Sequence, residues 1–101
     1  MKLRFHQSGG FAGLNFGCEL DTEKLPGAEA DELVSLVRQA ELEKAGVNTS
    51  PKGRDLVNYE IIVEEQGKKT RAVFDDMTVP KNARALLDFL SRRATAMPLE
   101  K

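Results

Sequence analysis

At 101 residues, 41% of them hydrophobic, the chain is long enough for one small domain over residues 1–101 and too short for two independent cores. Fifteen basic and sixteen acidic side chains give a net charge of −1, without the basic excess that is typical of nucleic-acid binding. One cysteine excludes an internal disulfide, the single histidine leaves no Cys/His set for a structural zinc site, and no apolar run is long enough to cross a membrane.

The first two segments of the chain predict a β-hairpin. Residues 2–7 and 14–21 both alternate apolar and polar side chains, as half-buried strands do. A pairing of Gln7 with Leu14 would place the apolar side chains of both strands on one face. We therefore expect one face of this hairpin to be buried and the other to face solvent.

The next segment predicts a helix that begins near Pro26, where a proline costs little because its missing N–H would have no helical partner. Gly46 is a candidate for the C-cap of this helix, and residues 46–55 are expected to form an exposed loop. The apolar stripe of the helix at i, i+3, i+4 and i+7 consists of Leu33, Leu36, Val37 and Ala40.

A second hairpin is predicted after the loop. Residues 56–66 are rich in Val, Ile and Tyr, and Gly67 and Lys68 form a two-residue turn with glycine first, as a type II′ turn prefers. The pairing that follows sets Glu64 across from Arg71 as a surface ion pair worth a few tenths of a kcal/mol.

The last predicted element is a helix that begins at Pro80, followed by a frayed tail over residues 95–101. Its apolar stripe consists of Ala83, Leu86, Leu87, Leu90 and Ala94. The predicted fold is α+β, a four-stranded antiparallel sheet with two helices on one face in the order ββαββα. This order differs from the βαββαβ order of an RNA-recognition domain.

No set of side chains predicts catalysis. His6 and Cys18 are the only candidates for a nucleophile and its base, and the hairpin pattern puts them on opposite faces. The adjacent carboxylates at 64–65 and 75–76 also point to opposite sides of their strands. We therefore expect a protein that is not an enzyme and that has no catalytic residue, no metal and no cofactor.

The segment between the first two strands holds three of the eight glycines and one aromatic residue. Glycines permit positive φ angles and close backbone approach, but the spacing is not that of a phosphate-binding loop. Phe11 either folds back onto the core or belongs to a recognition loop on a rigid scaffold. The candidate binding residues are Ser8, Gly9, Gly10, Phe11, Ala12 and Gly13.

Residues 7–13 read Gln-Ser-Gly-Gly-Phe-Ala-Gly directly after the first strand, and Glu-Leu-Asp follows at 19–21. Leu25 and Pro26 precede the first helix, and Tyr59 lies in the third strand. In these features the chain resembles the emfourin family, small inhibitors of thermolysin-like (M4) zinc metallopeptidases. The resemblance implies an M4 peptidase as partner and reversible inhibition by a loop that occupies the active-site cleft, with Phe11 in an apolar pocket.

An alternative function is a non-inhibitory interaction module. Ile62 and Val73 form an apolar spot on the far face of the second hairpin, which would support docking or self-association unless residues 46–55 cover it, as we expect. We therefore expect a monomer. Because the N-terminus lacks the apolar core of a signal peptide, we also expect a cytoplasmic protein without a membrane or nucleic-acid partner.

Overall fold

The computed structural model describes residues 1–9, 14–49 and 56–96 of the chain. The predicted α+β class is confirmed. The strands are β1 (Lys2–Gly9), β2 (Leu14–Asp21), β3 (Val47–Asn48), β4 (Val57–Glu65), β5 (Lys68–Asp75) and β6 (Thr95–Ala96). The helices are α1 (Gly27–Ala40), α2 (Leu42–Ala45) and α3 (Arg84–Arg93), and a single 3₁₀ turn, Lys81–Ala83, leads into α3.

The sheet has the strand order β3-β5-β4-β1-β2-β6. Its four long strands are antiparallel, as predicted, but the sheet is not limited to them. The two-residue strand β3 pairs parallel to β5, and β6 pairs antiparallel to β2. The predicted four-stranded sheet and its ββαββα order are therefore wrong in detail, because the chain that leaves α2 and the chain that leaves α3 each add a short strand to one edge of the sheet.

The first hairpin has a register two residues away from the predicted one. Gln7 pairs with Phe16 rather than with Leu14, and the ladder extends until Gly9 pairs with Leu14. A shift of two residues keeps every side chain on its face, because strand side chains alternate with a period of two. The predicted buried face is therefore correct although the predicted pairs are not.

The second hairpin is shifted by two residues as well. Glu65 pairs with Lys68, so the turn consists of Gln66 and Gly67 rather than Gly67 and Lys68. Both turn residues have positive φ angles, 52° and 79°, as a type I′ turn requires, and the predicted type II′ turn is wrong.

The helical region between the hairpins begins at Gly27, directly after Pro26, as predicted. It is interrupted at Glu41, which has a φ of 48°, and resumes as the short α2. Gly46 ends α2 with a φ of 55°, and its amide donates a hydrogen bond of 3.2 Å to the Leu42 carbonyl. The carbonyl of Gly46 accepts the Val73 amide at 2.9 Å, which places β3 at the edge of β5.

The hydrophobic core lies between the helices and one face of the sheet. Most residues of the apolar stripes predicted for the two helices are buried in this core. Leu36, Val37 and Ala94 are partly buried and pack against it. The buried apolar residues are Leu3, Phe5, Leu33, Ala40, Leu42, Ile61, Val63, Ala72, Phe74, Ala83, Leu86, Leu87, Phe89 and Leu90. Residues 95–96, expected in the tail, form β6, and residues 97–101 of that predicted tail lie outside the described residues.

The opposite face of the sheet carries charged side chains in pairs between neighbouring strands. Arg4 on β1 lies 3.3 Å from Glu19 on β2. On the second hairpin, Arg71 contacts Glu60 at 2.6 Å, so the predicted pairing of Arg71 with Glu64 is wrong. Exposed pairs of this kind contribute little to stability.

Candidate functional site

The predicted recognition loop begins from the centre of the sheet. Strand β1 lies between β2 and β4, so Ser8 pairs with Asn15 on one side and with Asn58 on the other. Gly9 likewise pairs with Leu14 on one side and with Val57 on the other. Both ends of the loop are therefore anchored in regular structure. Residues 10–13, which include Gly10, Phe11, Ala12 and Gly13, lie outside the described residues, and the role predicted for them stays a prediction.

Gly9 cannot be replaced by another residue without strain. Its φ is +89°, a conformation that residues with a side chain rarely adopt. A Cβ at this position would also lie 2.8 Å from the carbonyl oxygen of Leu56, which is backbone and cannot rotate away. This close approach packs the base of the loop against the beginning of β4.

A carboxylate clamp adjoins the base of the loop. The Tyr59 hydroxyl donates a hydrogen bond of 2.7 Å to Oδ1 of Asp76, and the Val57 amide donates one of 3.0 Å to Oδ2. The Asp76 amide donates in return to the Val57 carbonyl at 3.2 Å. Burial, followed by the hydrogen bond to Asp76, raises the pKa of Tyr59 to about 12, so the phenol stays protonated and donating at neutral pH.

The clamp leads directly into an ordered turn over residues 75–78. Asp75, with only 1% of its surface exposed, accepts hydrogen bonds from the amides of Met77 at 2.9 Å and Thr78 at 3.1 Å. The Thr78 hydroxyl donates to the Asn48 carbonyl and so ties the turn to β3. The adjacent carboxylates of Asp75 and Asp76 therefore have different structural roles, one inside the turn and one between the turn and β4.

Cys18 and His6 do not form a site. Cys18 pairs with Phe5 while His6 pairs with Gly17, which puts the two side chains on opposite faces, as predicted. The Cys18 thiol is half-buried beneath α3, with its sulfur 3.9 Å from the Leu90 carbonyl oxygen. Burial raises the pKa of this thiol, which makes it less reactive at neutral pH.

Ile62 and Val73, which form the predicted apolar spot, are each partly buried. Val47 lies opposite Val73 in the β3–β5 ladder and extends the same face. The expectation that residues 46–55 cover this spot stays a prediction, because residues 50–55 lie outside the described residues.

Two further structural observations concern ligands and membranes. Over residues 1–9, 14–49 and 56–96, no three His, Cys, Asp or Glu side chains are grouped as metal ligands would be. In the same part of the chain, no helix is long and apolar enough to cross a membrane.

Sequence reasoning missed the clamp and the turn beside the loop. The adjacent aspartates were considered only as a possible carboxylate pair, and Tyr59 only as a feature of the resemblance. For the turn, an available signal was the string Asp-Asp-Met-Thr at the end of a strand, since Asp and Thr side chains often accept hydrogen bonds from backbone amides in turns.

These features define a small α+β domain in which Gly9, at the base of the predicted loop, and the turn over residues 75–78 lie at the same end of one sheet. The Emfourin family model matches residues 5–91, and the chain therefore belongs to the Emfourin family, as the resemblance indicated. Emfourin is an inhibitor family. Comparisons with the curated proteins and with the solved structures gave no match.

Proposed function

We propose that the protein is a reversible inhibitor of thermolysin-like (M4) zinc metallopeptidases and that its loop over residues 8–13 blocks the active-site cleft. The observation that carries this proposal is the match to the Emfourin family over most of the chain. In this mechanism the inhibitor performs no chemical step. It binds as a poor substrate would and excludes peptides from the cleft.

The anchoring of the loop supports this mechanism. Ser8 and Gly9 each pair with residues of two neighbouring strands, and Leu14 at the other end of the loop pairs with Gly9, so both ends of the loop are anchored in the sheet. A loop whose ends are already ordered loses less conformational entropy on binding, and tight binding then does not require a large interface. In the proposed complex, Phe11 fills an apolar pocket of the cleft and the flanking glycines let the loop backbone pair with an edge strand of the peptidase.

The proposal is tested by titrating thermolysin and a second M4 peptidase with the protein while peptide hydrolysis is followed. A serine peptidase serves as the control. We expect stoichiometric loss of M4 activity, recovery of activity after dilution, and no effect on the serine peptidase. Unchanged activity of both M4 enzymes at high micromolar inhibitor would contradict the proposal as it applies to these two enzymes.

The second candidate function is an interaction module that uses Ile62 and Val73. The observation that favours it is the position of Val47, which enlarges this apolar spot instead of leaving it isolated. Sedimentation at micromolar concentration tests whether the protein self-associates through this face. A monomer, which we expect, contradicts self-association through this face, and a dimer that Val73→Lys dissociates supports it.

We also propose that the inhibitor acts in the cytoplasm. Fractionation of cells that produce the protein, followed by immunodetection, tests this location. Recovery outside the cytoplasmic fraction would contradict it.

A further inference from the structure

Two large apolar side chains are strongly exposed, one in the edge strand β3 and one in the turn that follows β5. Val47 is 65% exposed and Met77 is 72% exposed. They flank a single hydrogen bond, because Val47 precedes Asn48 and Met77 precedes Thr78, whose hydroxyl donates to the Asn48 carbonyl. The two side chains therefore lie on neighbouring segments that are tied together.

The exposure of Met77 is a property of an ordered turn. The Met77 amide donates to the buried carboxylate of Asp75, and the Thr78 amide donates to the same oxygen. The residue before Met77 is held as well, because the Asp76 amide donates a hydrogen bond to the Val57 carbonyl. The backbone is fixed on both sides of Met77 while its side chain points to solvent, which is an arrangement suited to contact with another molecule.

This turn lies at the same end of the sheet as the proposed inhibitory loop. Strand β4 separates β1 from β5, so the ends of β1 and β5 are two strand spacings, or about 10 Å, apart. The segments are also joined by contacts. Val57 pairs with Gly9 in the sheet and exchanges hydrogen bonds with Asp76, which immediately precedes Met77.

We propose that Met77, with Val47 beside it, is a second contact of the inhibitor with its target peptidase. The partner surface is an apolar rim beside the cleft that receives the loop over residues 8–13. This inference rests on the proposed function. Methionine suits such a contact because its unbranched, polarisable side chain adapts to the shape of a partner. The continuity of the turn with the base of the loop favours the peptidase as occupant over a second copy of the chain.

The first test compares Met77→Lys with Gln66→Lys in the inhibition assay. Gln66 lies in the turn at the opposite end of the sheet, so the control adds the same charge away from the proposed interface. We expect Met77→Lys to raise the inhibition constant at least about tenfold and Gln66→Lys to leave it unchanged. Met77→Leu, which restores an apolar side chain of similar size, should recover most of the affinity.

The outcomes separate this inference from the proposed function. If the unaltered protein inhibits and Met77→Lys inhibits equally well, the second contact is wrong and the proposed function stands. If the unaltered protein does not inhibit any M4 peptidase, the proposed function fails and this inference fails with it. Thermal unfolding of each variant excludes a loss of folding as the cause of weaker inhibition.

A direct measurement uses ¹³C-methyl labelling of methionine. The Met77 signal is assigned by its loss in Met77→Leu, and the complex with an inhibited peptidase is then recorded. We expect the Met77 methyl signal to shift or broaden on binding. A Met77 signal unchanged in a complex that demonstrably forms would overturn the inference.

Discussion

The Tyr59 hydroxyl and the Asp76 carboxylate are joined by a hydrogen bond of 2.7 Å. Tyr59 belongs to a central strand, and its ring lies 6.4 Å from the rings of both Phe5 and Phe74. Asp76 is the first residue after β5 and leads into the turn that carries Met77. The Tyr59 side chain thus connects the core to the end of the sheet where we place the binding surface.

The burial of Tyr59 and its hydrogen bond to Asp76 predict a loss of stability at alkaline pH. The pKa of Tyr59 rises from 10.0 to about 12 in the folded protein, so folding favours the neutral phenol. The stabilisation is fully present below pH 10 and is lost as pH rises from about 10 to about 12. Because the chain has one tyrosine, its phenolate absorbance reports on this residue alone.

The matched variants for that measurement are Tyr59→Phe and Asp76→Asn. Tyr59→Phe should remove the part of this stability change that comes from Tyr59, at a cost of about 1 kcal/mol or less at neutral pH. Asp76→Asn should lower the pKa of Tyr59 toward its ordinary value, since the negative charge that opposes ionisation is removed. A Tyr59 pKa near 10 in the unaltered protein would contradict both the burial of the phenol and its hydrogen bond to Asp76.

Phe11→Ala should weaken inhibition by about 2 kcal/mol or more, as truncation of an interface anchor does, and should leave the melting temperature almost unchanged. Inhibition titrations and calorimetry measure the two effects. The control is Phe89→Ala, which removes a buried ring of α3 and should cost about 3–5 kcal/mol of stability. A sharp fall in the melting temperature of Phe11→Ala would instead identify Phe11 as a core residue.

Gly9→Ala should destabilise the protein by more than about 1 kcal/mol, because the new Cβ would meet the Leu56 carbonyl and the φ of +89° would be strained. Gly27→Ala is the control, since a Cβ at Gly27 has no atom within 4 Å and no positive φ is required there. Chemical denaturation of both variants tests the difference. Equal stability of the two would contradict the close contact between β1 and the beginning of β4.

Arg93→Ala should destabilise the packing of α3 on α1 by about 1–2 kcal/mol. The Arg93 guanidinium bonds to the Glu29 carboxylate and to the Phe89 carbonyl, and it lies 3.6 Å from the centre of the Phe89 ring. A double-mutant cycle with Glu29→Gln, followed by denaturation, isolates the contribution of the ion pair. The exposed neighbour Arg92→Ala provides the control, and a loss as large as that of Arg93→Ala would argue against the specific contacts.

Much of the fold could be predicted from local patterns. Alternation placed Leu3 and Phe5 in the core, and helical spacing did the same for Leu33 and Leu86. The candidate loop was identified from its glycines and from the family resemblance. The clamp of Tyr59 and Asp76 could not be predicted in this way, because it joins residues of different segments whose proximity depends on the pairing of β4 with β5.

The amino-acid sequence by itself determined which face of each strand and helix is buried, because apolar periodicity reports on local geometry alone. The sequence motifs also indicated the family to which the chain belongs. Only the tertiary structure decided the register of both hairpins. A shift by two residues preserves the buried face, and the apolar pattern is therefore equally satisfied by a turn at Gln66–Gly67 or at Gly67–Lys68. The strand order, the added strands β3 and β6, and the meeting of the loop base with the Met77 turn likewise depend on hydrogen bonds between segments far apart in the chain.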